Sequence, residues 1–286
     1  MSALNFPPAA GSDPATILAI AGRMKVADRV GHHDYIGGCA LLAASVAQTA
    51  GVRGVALGDD WPRDEALFDA ARSVVCYSGG GSKHGFFASP ERVDRVQRMV
   101  DRGVGLVMIH QAVCCPVERA PVLSSWIGGA HVPGESARGH WRTHHREFPA
   151  HPVTRGVQPW KIRDGWLREI RFVDGMTGVT PLLWSSRTHR GSSDGGVADV
   201  VAWTYERPDG GRSFCFTGLD AHSGWSVPAV RQLVVNGILW SAGVPIPAAG
   251  APCAVDDDAL RRYLTPRQPT SRFRTLLRRL GGSMRS

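Results

Sequence analysis

The apolar residues of this chain fall in short runs separated by polar, glycine-rich breaks, and most runs have the length of strands. Gly103-Val104-Gly105-Leu106-Val107-Met108-Ile109 is apolar without alternation and stops at His110 and Gln111. That pattern predicts a strand buried on both faces of a parallel sheet. Further strands are predicted over 16–21, 52–57 and 73–78. Between them, Leu41, Leu42 and Val46 give 36–50 a helical face that closes at Gly51, and 64–71 has the composition of a helix. Ser89-Pro90-Glu91 supplies an N-cap and a first-turn proline for a helix to residue 102. Strand and helix therefore alternate from residue 16 to 110, the order of an α/β, doubly wound, mostly parallel sheet flanked by helices.

Past His110 the periodicity weakens. Residues 112–180 are rich in glycine, proline and tryptophan, which predicts a loop-rich β insertion covering the carboxyl edge of the sheet. Strands return over 179–184 and 199–206. Arg207-Pro208-Asp209-Gly210-Gly211 is turn chemistry leading into a second hairpin arm, 212–217. A helix over 228–242 closes at Gly243. The chain divides into a domain, 1–247, and a C-terminal extension, 248–286, with a short helix over 256–264. In 271–280 of that extension, Phe273, Leu276, Leu277 and Leu280 alternate with arginines. Such a basic amphipathic tail is expected to be a solvated or self-docking end rather than a membrane contact.

Charge changes the picture only once it is located. The net charge of +8 suggests nucleic acid, but eight arginines and no acid follow Asp258. Without those eight, the 33 basic residues fall to 25, against 25 acidic ones, so the globular part is neutral and offers no basic groove. Six cysteines without a CxxC pair exclude a zinc ribbon or a disulfide framework. With no basic leader and no long apolar span at the start, a cytoplasmic protein with reduced thiols is expected.

Four polar clusters follow predicted strands: His32-His33-Asp34, residues 79–84, His110-Gln111 and Asp220-Ala221-His222. Strands of a parallel sheet end on one edge, so these groups should converge on one cleft. Histidines beside carboxylates serve as general acids and bases or as ligands of a divalent metal. His140, His144 and His145 lack a glutamate in the HExxH position, and Trp141-Arg142-Thr143-His144 alternates like a strand, so they are not read as a zinc motif. Cys114-Cys115 lacks the glycine-flanked elbow of a nucleophile.

Taken in order, Gly31-His32-His33-Asp34-Tyr35, the stretch 103–110 where the family reads GxGxVxLH, Trp126-Ile127-Gly128-Gly129, His151-Pro152-Val153-Thr154-Arg155-Gly156-Val157, Arg163-Asp164-Gly165-Trp166, Gly210-Gly211-Arg212-Ser213-Phe214 and Asn236-Gly237-Ile238-Leu239-Trp240 resemble the ThuA-like (trehalose-utilisation) family. The resemblance spans residues 16–264. It implies a flavodoxin-like sheet of the class I glutamine amidotransferase type and an association with sugars, keto-sugars and glycosides. His110 stands where amidotransferases carry their nucleophilic cysteine, so glutamine hydrolysis is not expected. The chain departs from the family at Gly165, where relatives carry a glutamate, and at Asp220, where they tend to carry a histidine; Asp220 or Glu169 is the candidate to replace the lost carboxylate.

The expected catalytic set is His33, Asp34, His110, Asp164 and His222, with His110 and His222 as acid and base and Asp34 orienting His33. Arg23, Gln111, Trp166, Asp220 and Trp225 are the expected substrate contacts, because aromatic faces and amides suit sugar rings and hydroxyls. If a divalent metal such as zinc is bound, His33, His110 and His222 are its expected ligands; no nucleotide cofactor is expected. The partner is a small sugar-like substrate, with a homo-oligomer possible and nucleic acid excluded. A non-catalytic sugar-binding or regulatory protein, or a biosynthetic enzyme on a decorated sugar, stays open as an alternative.

Overall fold

The apolar runs become strands and the helical faces pack on them. The computed structural model describes residues 3–7, 14–24, 30–186 and 198–265. In chain order it contains β1 (Leu4–Phe6), β2 (Ala15–Ala21), α1 (Tyr35–Val46), β3 (Val52–Leu57), α2 (Leu67–Ala70), β4 (Ala71–Tyr77) and α3 (Pro90–Asp101). There follow β5 (Gly105–Ile109), α4 (Ala120–Ile127), β6 (Gly129–Ala130), β7 (Ala137–His145), β8 (Trp160–Arg168) and β9 (Arg171–Phe172). The chain continues through β10 (Val179–Ser186), β11 (Ala198–Glu206), β12 (Arg212–Phe216), α5 (Pro228–Ser241) and α6 (Asp257–Tyr263).

Eight strands form one sheet in the order β1-β3-β2-β4-β5-β12-β11-β10. The five central strands are parallel and β1, β11 and β10 add antiparallel at the edges. This is the flavodoxin-type order, with its topological switch between β2 and β4. β5 is buried at all five residues. Its alternate side chains serve two cores: Val107 and Ile109 belong to the cluster that holds Leu41 of α1 and Leu233 of α5, while Leu106 and Met108 belong to the one that holds Val96 of α3 and Leu123 of α4. That two-sided burial is why the run lacks alternation. Gly105 is needed at its start, because a Cβ there would lie 2.3 Å from the Ser241 carbonyl oxygen of α5.

The insertion contains a nine-residue antiparallel pair, β7 with β8, and the 141–144 alternation is part of it. Three features depart from expectation. The helix over 64–71 is one turn, because the Asp64 carboxylate accepts from the Ala66 amide and Glu65 is held by the Trp61 indole, 2.8 Å away. The edge strand β1 and helix α4 add to the expected elements, and Gly128 at φ +80° is an ordinary stop for that helix. The basic amphipathic tail over 271–280 lies outside the described residues.

Candidate active site

The carboxyl edge of the sheet gathers histidines around one carboxylate. His110 ends β5 with φ +58°, a left-handed turn that aims its ring back under the edge, where it is 3% exposed. Its Nδ1 lies 3.2 Å from the Thr217 carbonyl oxygen, so Nδ1 carries the proton and donates it. Nε2 is left buried without a hydrogen-bond partner, 3.3 Å from Oδ1 of Asp220. His33, also left-handed at φ +48°, places Nε2 2.7 Å from the same oxygen, and its main-chain amide donates to the Asp220 carbonyl oxygen at 2.9 Å. The second oxygen, Oδ2, faces His140 at 2.9 Å and His32 at 3.5 Å.

Asp220 is presented by a clamped turn. Both oxygens of the buried Asp164 carboxylate accept main-chain amides, from Leu219 at 2.6 Å and Asp220 at 3.1 Å, and the Tyr77 hydroxyl donates to the Leu219 carbonyl. Leu219 itself has φ +69°. Burial pushes the Asp164 carboxyl up, against the pull of the nearby His110 ring and of the Leu219 and Gly165 amides. Burial acts the same way on Asp220, but the His110, His33 and His140 rings gathered on it outweigh burial and hold that carboxyl well below the usual range. Asp220 is therefore an anion throughout the working pH range. Gln111 spans the edge, with its amide oxygen 3.4 Å from the Gly80 amide and its amide nitrogen 3.4 Å from His33 Nε2.

The expected residues separate into those that meet and those that do not. His33, His110, Gln111 and Asp220 come together, and Asp164 supports them from beneath. His222 does not join them: its Nε2 lies 3.2 Å from the Leu260 carbonyl oxygen and its Nδ1 3.5 Å from Asp34. Burial pulls its pKa down against the opposing Asp34 charge. Asp34 does not orient His33. It caps α1 through the Gly37 amide and accepts both the amide and the hydroxyl of Thr265. Trp166 and Trp225 are no sugar platform, because both rings are sealed in the core, 1% and 0% exposed. Trp166 packs edge-on to Phe216, and Trp225 edge-on to Tyr77. Arg23 is 80% exposed and reaches Asp60 at 3.6 Å. His84 of the 79–84 loop is a core residue bonded to the Ala112 carbonyl, with burial lowering its pKa to about 4.

His140 was missed as a member of the cluster. The signal was the strand register: His140 pairs with Gly165. A Cβ at 165 would lie 2.8 Å from the Asp220 Cβ and 3.0 Å from His140 Nε2, so the glycine makes the space in which those two side chains meet.

His33, His110 and Asp220 offer ligand atoms that all lie within 4.8 Å of one another, the one such group among the described residues. Asp220 thus takes the place expected of His222. Two imidazoles and a carboxylate suit zinc and related divalent metals, and the orphaned His110 Nε2 is the kind of buried lone pair that a cation satisfies. The group is capable of holding such an ion. Cys114 and Cys115 offer no competing nucleophile: burial raises both thiols, Cys115 to about 12.

Comparison with known proteins bears on the same residues. The sequence profile described as ThuA, trehalose utilisation, matches residues 30–241. No curated protein matches the sequence. Among solved structures, a ThuA-like protein from Bacteroides uniformis superposes with TM-score 0.58 at 12% identity, covering 86% of this chain and 96% of its own. Another from Parabacteroides merdae gives TM-score 0.54 at 15% identity, covering 86% and 94%. At such identities the structures speak for the fold.

Proposed function

The chain belongs to the ThuA family, and from that premise and the Asp220-centred cluster we infer an enzyme that performs acid–base chemistry on a sugar-like substrate. The observation that carries the reading is the unsatisfied face of His110. With Nδ1–H given to Thr217, the Nε2 lone pair points at a buried carboxylate oxygen 3.3 Å away. Two electron-rich atoms in a dry site repel unless a cation stands between them, so the pair is built to take up a proton or a divalent ion.

His33 and His110, both braced on Asp220, would accept and return the proton that moves when a C–H bond beside a sugar carbonyl, or a glycosidic oxygen, reacts. Gln111 would orient a hydroxyl at the rim. A divalent ion held by His33, His110 and Asp220 would polarise a carbonyl or hydroxyl oxygen. His32 and His140 stand on the outer oxygen of Asp220 and keep the carboxylate fixed. Asp164 acts through the main chain of the 219–220 turn. Glutamine hydrolysis is excluded, since β5 ends on an imidazole and both nearby thiols are held protonated.

The finer assignment is the substrate: oxidised (keto) sugars and glycosides related to trehalose, met in the cytoplasm. Support for a working rather than a vestigial site comes from position 165. The carboxylate absent there is replaced in space by Asp220, whose side chain fills the volume a residue at 165 would need. The test is a keto-sugar and glycoside panel followed by mass spectrometry, with bound metal measured on the same sample. Wild type should convert at least one compound, and His110→Ala should reduce that turnover by about a hundredfold or more. Undiminished turnover in His110→Ala contradicts the assignment.

A further inference from the structure

The His33 loop is held in an unfavourable backbone shape by a segment from the far end of the chain. Gly31 and His33 both have positive φ, +80° and +48°, and a non-glycine residue stays there only when its surroundings fix it. On one side the loop is zipped to the 220–222 turn through the His33 amide on the Asp220 carbonyl and the His222 amide on the Gly31 carbonyl. On the other side lies the arm that carries α6. Thr265 donates its amide at 2.8 Å and its hydroxyl at 2.6 Å to the two oxygens of the fully buried Asp34, the residue after His33. Leu260 receives the His222 ring, and the Leu264 side chain reaches towards Gly31, where a Cβ would lie 3.7 Å from it. At Gly37 a Cβ would lie 2.0 Å from the Tyr263 carbonyl oxygen, so α1 is thinned to let the arm lie against it.

We propose that the arm Asp256 to Thr265, which lies beyond the residues the family profile matches, is a clasp that fixes the His33 loop in its metal-binding form, with Thr265 and His222 as positioning residues. The proposal rests on the reading of His33, His110 and Asp220 as a cation site. The arm is itself anchored along its approach. Gln48 exchanges two hydrogen bonds with Ala254, and Arg231 and Gln232 donate to the carbonyls of Cys253 and Ala251. A fixed strut of this kind holds a ligand loop as supporting hydrogen bonds hold first ligands.

The test uses the full chain with Thr265→Val, which removes the hydroxyl bond to Asp34 and keeps the shape, and Thr265→Ser, which restores it. Zinc binding is measured by calorimetry, and hydrogen–deuterium exchange is followed at the amides of 31–35. Thr265→Val should weaken zinc binding about tenfold, the low end for a supporting contact, and speed exchange in 31–35, and Thr265→Ser should recover both. Wild-type affinity and exchange rates in Thr265→Val overturn the clasp. A wild type that binds no zinc counts against the cation reading alone; the exchange measurement then decides the clasp, and unchanged rates overturn it.

Discussion

Asp220 collects four histidine rings on two oxygens, and the rings arrive by three routes. His110 comes from a strand end, His32 and His33 from the loop before α1, and His140 from the insertion. Two other histidines show the opposite use of the residue. His84 and His145 are buried, with pKa values pulled to about 4 by desolvation. Their folded pKa lies below the unfolded value near 6.5, so the unfolded chain binds protons first as pH falls. Stability is therefore full above about pH 6.5 and declines between about pH 6.5 and 4, by on the order of 3 kcal/mol for each ring. Urea midpoints across that range should fall steeply in wild type and less steeply in His84→Gln. At this scale His110 and Gln111 were legible, because an apolar run that ends on polar residues marks the edge where ligands bind. The roles of His222, Trp166 and Trp225 were not, because adjacent residues in a loop point opposite ways and a tryptophan in a motif does not say which face it presents.

The parallel strands were legible as elements for a physical reason: strands covered on both faces carry unbroken apolar runs. β3 matches its expected bounds, 52–57, and α6 opens on Asp256, whose carboxylate caps the Ala259 amide at 2.6 Å. The β7–β8 pair was harder, since its arms are separated by residues 146–159 and one face is exposed. Yet the pair decides the site, because its register puts Gly165 beside Asp220 and opposite His140. Gly165→Ala should therefore destabilise the fold by about 1–3 kcal/mol through overpacking. In Asp220→Gly the added methyl has room, so the double variant should show a favourable coupling of about 1 kcal/mol or more. Thermal or urea unfolding of the four proteins measures it; additive losses would place the Gly165 constraint elsewhere.

On the scale of the whole molecule, the sheet order brings the loops after β2, β4, β5 and β12 to one edge, as a flavodoxin-type switch requires. That convergence was readable from strand–helix alternation alone. Residues 251–265 pack along α1 and α5 and reach the His33 loop. Among the described residues no helix is long and apolar enough to cross a membrane. The fold, the family and the buried anion meet in one claim: Asp220, in the place left open by Gly165, is the centre of the chemistry. Turnover by Asp220→Asn tests that most directly, because the amide keeps the shape and removes the charge. A loss of about a hundredfold or more is expected on any keto-sugar or glycoside that wild type converts. Turnover equal to wild type in Asp220→Asn would contradict it.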